Sequence, residues 1–283
     1  MNNYTLEQMQ EKAQAFRALH HRPGIFVIPN PWDAGSAKIL ESLGFEALAT
    51  TSAGLAFTIG KPDGHSSITR AQTLANAQSI VNATSLPVSA DLENGYGDDP
   101  AACAETIILA GKNGLAGGSI EDATGNPADP IYPFELSVER VKAAAQASRS
   151  LPVPFTLTAR AENLIYGRPD LKDTVRRLEA YADAGADVLF APGLKTLAEV
   201  ETVVKAVAPR PVNVLMGIAG SDLTLDKLND LGVKRVSVGS ALIRAACGEF
   251  LRAAKEIQQK GTFTFAHQAT TYKWLNELFG KHP

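Results

Sequence analysis

Leu178–Gly193 reads LEAYADAGADVLFAPG, and this stretch decides the architecture. Its first half is helical in pattern and stops at Gly185. Its second half, ADVLFA, is a near-continuous apolar run. A glycine just past a helix end adopts the left-handed backbone that closes the helix. An apolar run of this kind suits a strand buried on both faces, as in a parallel sheet. The same order of helix, glycine and buried strand returns as KILESLGFEALATTS around Gly44, TIILAGKNGLAGGSIED around Gly114 and LDKLNDLGVKRVSVGS around Gly232.

Working outward from these four, further apolar runs supply strands at Ile25–Pro29, Val88–Leu92, Phe155–Ala159 and Val212–Met216. With Ala47–Thr51, Ala116–Ile120, Val188–Ala191 and Arg235–Val238 they make eight. Helices are expected over 33–43, 69–84, 100–112, 137–147, 171–184, 196–207, 223–230 and 240–258. Eight β/α units in a chain of 283 residues predict a (β/α)8 TIM barrel. An open doubly wound sheet fits less well, because no G-x-G-x-x-G follows the first strand. No linker or shift in composition divides the chain, so residues 1–283 read as one domain. An N-terminal helix over 5–19 and a C-terminal helix near 268–280, within an extension from about 262, read as additions.

Composition narrows the function class. The 27 basic and 30 acidic residues leave a net charge of −3, without a basic block for nucleic acid. No stretch approaches the ~20 apolar residues of a membrane span. The polar N-terminus lacks the apolar core of a signal peptide. Cys103 and Cys247 lie far apart in Ala-rich helical patterns, which predicts buried free thiols and fits a reducing cytoplasm.

In a barrel of this type the chemistry gathers where strands end. The third strand runs into Ser89-Ala90-Asp91-Leu92-Glu93-Asn94-Gly95-Tyr96-Gly97. Positions i and i+2 of a strand face the same side, so Asp91 and Glu93 are expected to point together into one pocket where the strand gives way to a Gly-rich loop. Two adjacent carboxylates repel unless something positive joins them, and a hard cation such as Mg2+ is the natural partner. The fourth strand delivers Glu121 and Asp122, and the fifth delivers Arg160 with Glu162 and Asn163 behind it. Arg160 is either a planar fork for a substrate carboxylate or a structural partner of Glu121 or Glu93. After the second strand, Thr50, Thr51, Ser52, Ala53 and Gly54 offer hydroxyls and backbone N–H groups to a carboxylate or phosphate, or form an ordinary turn. Asp33 reads as a helix N-cap. Asp63 lies in the loop GKPDGHSS, able to swing over the mouth or simply to make a turn, and Ser240 is an anion contact or a cap.

Together PNPWDAGSAKIL, ALATTSAGLA, PVSADLENGYG, GGSIED, TARAEN, YADAGADVLFAPG and GVKRVSVGSALIRAA resemble the isocitrate lyase/phosphoenolpyruvate mutase superfamily, nearest its carboxyphosphonoenolpyruvate mutase-like branch. The resemblance implies a (β/α)8 barrel that binds Mg2+ (Mn2+ as an alternative), enolate-type intermediates, and a dimer or tetramer that exchanges C-terminal helices. It implies Asp91, Glu93 and Glu121 as the metal shell, partly through water. It makes Ser52, Ala53 and Gly54 the carboxylate-binding turn, with Arg160 as its guanidinium partner. Asp63 becomes the loop acid near the metal and Arg244 a substrate-side arginine. Asp63, Glu121 and Arg160 are then the candidate catalytic residues. The relatives that cleave isocitrate or methylisocitrate carry a K-[KR]-C-G-H loop after the fourth strand. Here the stretch is EDATGNPADPIYPFE, with no Cys, His or Lys. A thiol-dependent lyase is therefore disfavoured, and Glu121, Tyr96 and Tyr132 remain as possible proton donors.

The expected activity is a Mg2+-dependent lyase cleaving or decarboxylating a small 2-oxo or 2-hydroxy carboxylate. Phosphorus–carbon bond chemistry is one alternative, and a catalytically silent barrel that binds a small acid is another. A Schiff-base aldolase would need a lysine at a strand's C-terminal end, whereas Lys234 starts the eighth strand.

Overall fold

The computed structural model describes residues 4–64, 67–217 and 222–280. The strands are β1 (Phe26–Ile28), β2 (Leu48–Ala49), β3 (Val88–Asp91), β4 (Gly117–Glu121), β5 (Thr156–Arg160), β6 (Val188–Phe190), β7 (Val212–Leu215) and β8 (Arg235–Ser237). They form one parallel sheet in the order β1-β8-β7-β6-β5-β4-β3-β2. Ala49 N–H donates to Pro29 O at 3.1 Å, drawing the two ends of the sheet together into a nearly closed (β/α)8 barrel. The helices are α1 (Leu6–His21), α2 (Ala34–Ser42), α3 (Ser52–Thr58), α4 (Arg70–Val81), α5 (Pro100–Lys112), α6 (Phe134–Ser150), α7 (Leu171–Ala184), α8 (Leu197–Val207), α9 (Leu225–Asp230), α10 (Ala241–Lys260) and α11 (Tyr272–Phe279).

Gly44, Gly114, Gly185 and Gly232 take φ of +83°, +80°, +107° and +85°, the left-handed backbone that turns each helix into the next strand. Helix α3 is an element that its sequence did not announce. Seven residues containing Gly54 show no helical period, but Thr51 caps the turn by accepting from Gly54 N–H at 3.2 Å. Alternation along the strands sorts side chains by face. Ile120, Leu157, Val214 and Val236 point outward into the helix-packed core.

The N-terminal helix is no mere addition. Its Phe16, Leu19 and Ala13 pack with Phe26, Ile28 and Ala47 and close the barrel floor. A Cβ at Gly117 would lie 2.9 Å from Phe16 Cε1 and 2.6 Å from Thr156 O, so glycine makes room for this plug. Beside it His20 is buried edge-on between the rings of Phe16 and Phe26, with Nδ1 2.8 Å from Phe16 O. Burial first, and then Arg235, lower its pKa to about 3, so the folded ring stays neutral. An unfolded His20 titrates near its ordinary value, so the unfolded chain binds the extra proton and stability falls as pH drops below about 6.5. From about pH 7 to about pH 5 this one group is expected to remove about 2 kcal/mol. Urea unfolding of wild type and His20→Gln at both pH values checks it, and equal losses in the two proteins would refute the assignment.

At the other end, α11 rests on α2 of the same chain, where Lys38 Nζ donates to Phe279 O at 3.2 Å. Helix α10 buries only Ile243 among its twenty residues and exposes Phe250, Leu251 and Ile257. Cys103 is buried as its sequence suggested, but Cys247 is exposed, because it lies on this unburied helix. Among the described residues no helix is long and apolar enough to cross a membrane.

Candidate active site

The strand ends converge on a cavity of about 190 Å³. Thr51, Ser52, Asp63, Asp91 and Arg160 line its mouth side, and it extends inward to Asn213, Arg235 and Ser237.

Arg160 organises the mouth. Its Nη1 lies 3.0 Å from Asp91 Oδ1 and 3.1 Å from Glu121 Oε2, and its Nε donates to Glu162 Oε1 at 2.8 Å. The fork that the sequence left open to a substrate carboxylate is thus committed to three acids. Glu162, unassigned by sequence, is almost wholly buried, and burial outweighs Arg160 to bring its pKa up to about 7. Glu121 is also driven well above the usual carboxylate range by burial, with Arg160 pulling the other way.

Asp91 is surrounded by donors. Besides Arg160, Glu93 N–H reaches Oδ1 at 3.3 Å and Ser52 N–H reaches Oδ2 at 3.2 Å. The turn Ser52-Ala53-Gly54 forms the start of α3, with two of its N–H groups directed to Asp91 and Thr51. Only glycine fits at position 54, where a Cβ would meet Thr51 Cγ2 at 2.5 Å. Asp63 does come over the mouth. It receives a hydrogen bond from the Ser52 side chain, and burial followed by the Asp91 charge raises its pKa.

Glu93 reaches the site by a different route from the one expected. The strand stops at Asp91, and Glu93 takes φ +47°, so the same-face rule of a continuous strand does not apply. Tyr96 is also left-handed, at φ +62°. Such backbone costs on the order of 1–3 kcal/mol per residue and persists only where its surroundings impose it. Arg140, which sequence reading overlooked, imposes it here. It is buried on α6, with its guanidinium over the Tyr132 ring, and donates to the carbonyls of Asn94, Gly97 and Asp98. The available signal was an arginine in register with Ser137 and Ala144 on the buried stripe of a helix. Tyr96 Oη lies 2.6 Å from Thr73 Oγ1 and 3.4 Å from Glu93 Oε1. Burial first, then Asp91 and Asp63, push Glu93 up to about 7.

Other acids turn out to be structural. Asp122 accepts from Glu162 N–H, Arg177 and Tyr181, and Asn163 clasps the loop before α7 through the carbonyls of Arg168 and Asp170. Asp33 caps α2. The Tyr132 hydroxyl goes to Asp98, away from the mouth. Gly239 and Ser240 line the cavity, but Arg244 does not; it is exposed and donates to Gly217 O at 3.3 Å. Lys234 Nζ bonds the carbonyls of Arg22 and Gly24, on the floor side of the barrel. Among the described residues no group of three or more His, Cys, Asp or Glu side chains is arranged so that it could hold a metal ion.

The family model described as phosphoenolpyruvate phosphomutase matches residues 16–258. The crystal structure of a candidate lyase/mutase from Burkholderia cenocepacia J2315 superposes with a TM-score of 0.94 at 57% identity, covering 97% of this chain and 98% of its own. Oxaloacetate decarboxylase of Bradyrhizobium diazoefficiens is 31% identical over 245 residues, 84% of this chain and 82% of the relative. The 2,3-dimethylmalate lyase structure, itself a member of the PEP mutase/isocitrate lyase superfamily, gives a TM-score of 0.86 at 27% identity over 95% of this chain and 94% of its own. The barrel, the acid-ringed arginine at its mouth and these matches make the chain an enzyme of the PEP mutase/isocitrate lyase superfamily, a group of lyases and mutases.

Proposed function

We propose that this chain is a Mg2+-dependent lyase that cleaves or decarboxylates a small 2-oxo or 2-hydroxy carboxylate through an enolate-type intermediate. One observation carries the reading. Five carboxylates, Asp63, Asp91, Glu93, Glu121 and Glu162, surround the single guanidinium of Arg160. Surplus buried negative charge of this kind is costly unless a cation or protons join it. The donors are all oxygen, which fits Mg2+ or Mn2+ held by one or two carboxylates and completed by water. Asp91, Glu93 and Glu121 are the residues that would hold it. When bound, it supplies Lewis-acid stabilisation to a developing enolate.

The protein's own groups do the rest. Ser52, Ala53 and Gly54, with Arg160 behind Asp91, border the place for the substrate carboxylate. Asp63 covers the mouth from its loop, and burial raises Glu121 well above the usual carboxylate range, with Arg160 pulling the other way. Decarboxylation asks little beyond a metal and an anion cradle, which suits a loop over 122–134 without Cys, His or Lys. The exposed apolar stripe of α10 is where we place a second copy of the chain, in a homodimer or homotetramer. A monomeric mass by light scattering would remove that placement.

The test is release of pyruvate from oxaloacetate, dimethylmalate, methylisocitrate and phosphonopyruvate, and of glyoxylate from isocitrate, with and without EDTA. Release from one carboxylate that EDTA abolishes is the expected result. Release from phosphonopyruvate alone would move the enzyme to phosphorus–carbon chemistry, the second reading that the phosphomutase family model favours.

A further inference from the structure

Arg235 is the second arginine of the cavity, and among the described residues its hydrogen-bond partners include no carboxylate. It opens β8 and faces the barrel interior two residues before Ser237, with only 5% of its surface exposed. Its Nε donates to Asn213 Oδ1 at 2.9 Å, its Nη2 to Thr158 Oγ1 at 3.0 Å, and its Nη1 lies 3.4 Å from His20 Nε2. Burial alone brings its pKa down to about 9.

A guanidinium has donors and no acceptor, so each of these contacts has a fixed direction. Asn213 must turn its oxygen to Arg235. Its amide nitrogen then faces Ser237 and donates to Ser237 Oγ at 2.9 Å. The Ser237 oxygen accepts, which leaves its own proton to be given elsewhere. Among the described residues that proton has no acceptor, and Ser237 lines the cavity. The cavity therefore has two polarities. Its mouth is ringed by acids around Arg160, and its inner end holds an uncompensated cation and an outward-donating hydroxyl.

We propose that this inner end is a subsite for a second anionic oxygen group of the substrate, to which Ser237 donates, while Arg235 acts through Asn213 as the residue that positions that donor. The subsite rests on the reading above, in which the first carboxylate binds at the mouth, and it narrows the substrate to small dicarboxylic acids.

Malate and lactate separate the two ends, because they share a 2-hydroxy carboxylate and differ in the distal carboxylate. Calorimetry with Mg2+ should show wild type binding malate at least about tenfold more tightly than lactate, the scale of a hydrogen bond to a charged group. Ser237→Ala should remove most of that preference and leave lactate unchanged. Asn213→Asp should do the same, since a carboxylate would satisfy Arg235 and present no N–H to Ser237. Both substitutions are small, so the test does not depend on an Arg235 variant that fails to fold. Equal weakening of both acids, or an unaltered preference in Ser237→Ala, would overturn the subsite. Lactate binding with no preference for malate in wild type would overturn the subsite and leave the mouth reading standing. Binding of neither acid would overturn both.

Discussion

Asp91→Asn is expected to lower turnover by on the order of 10³-fold, the scale on which enzymes lose activity when stabilisation of a developing anion is removed. The reason lies in its contacts. Arg160 Nη1, Glu93 N–H and Ser52 N–H all donate to Asp91, across both oxygens. Asparagine keeps one acceptor and replaces the other with an NH2 group, which would confront a donor. The charge that would anchor the cation goes at the same time. Stability should suffer less, by about 1–3 kcal/mol, the usual cost of leaving one buried polar group unsatisfied. Pyruvate release and urea unfolding of the same variant separate the two effects. Full activity would sink the metal assignment, and a collapse in stability matching the loss of rate would reduce Asp91 to a structural role.

Arg160→Met carries the largest expected cost in stability, about 3–5 kcal/mol, because it strands buried acids without their cation. Asp91, Glu121 and Glu162 all meet this one guanidinium, two through Nη1 and one through Nε. Arg160→Lys should recover little, since a single ammonium cannot reproduce a planar fork that serves acids on two of its edges. The urea midpoint is the readout. If it is unchanged in Arg160→Met, the acids do not depend on the guanidinium, and its role reverts to the substrate contact suggested by sequence.

The history of Arg160 illustrates which parts of the site were legible. Its place at the end of a strand follows from local pattern, because the short β-prone segment FTLTA runs into a charge at Arg160. Its partners do not follow, because Asp91 lies 69 residues earlier in the chain and meets it only after the barrel curls. Glu93 makes the same point. Alternation places it beside Asp91 only if the strand continues, and what ends the strand is a left-handed turn held by Arg140, 46 residues from Asn94. Nothing near Arg235 in the sequence reveals that it is buried against Asn213, Thr158 and His20. The N-terminal helix was legible as a helix, but its use as the barrel's floor depends on Gly117 leaving room for Phe16.

By itself, then, the amino-acid sequence determined the eight β/α units, the glycines that end their helices and the carboxylates and arginine that arrive at strand ends. These follow from periodicity and backbone preference, which act over a few residues. Only the tertiary structure decided that Arg160 is shared among three acids, that Glu93 approaches from a turn, and that the cavity ends on Arg235 and Ser237. Those outcomes depend on Coulomb and hydrogen-bond contacts between strands far apart in the chain, and such contacts have no counterpart in local pattern.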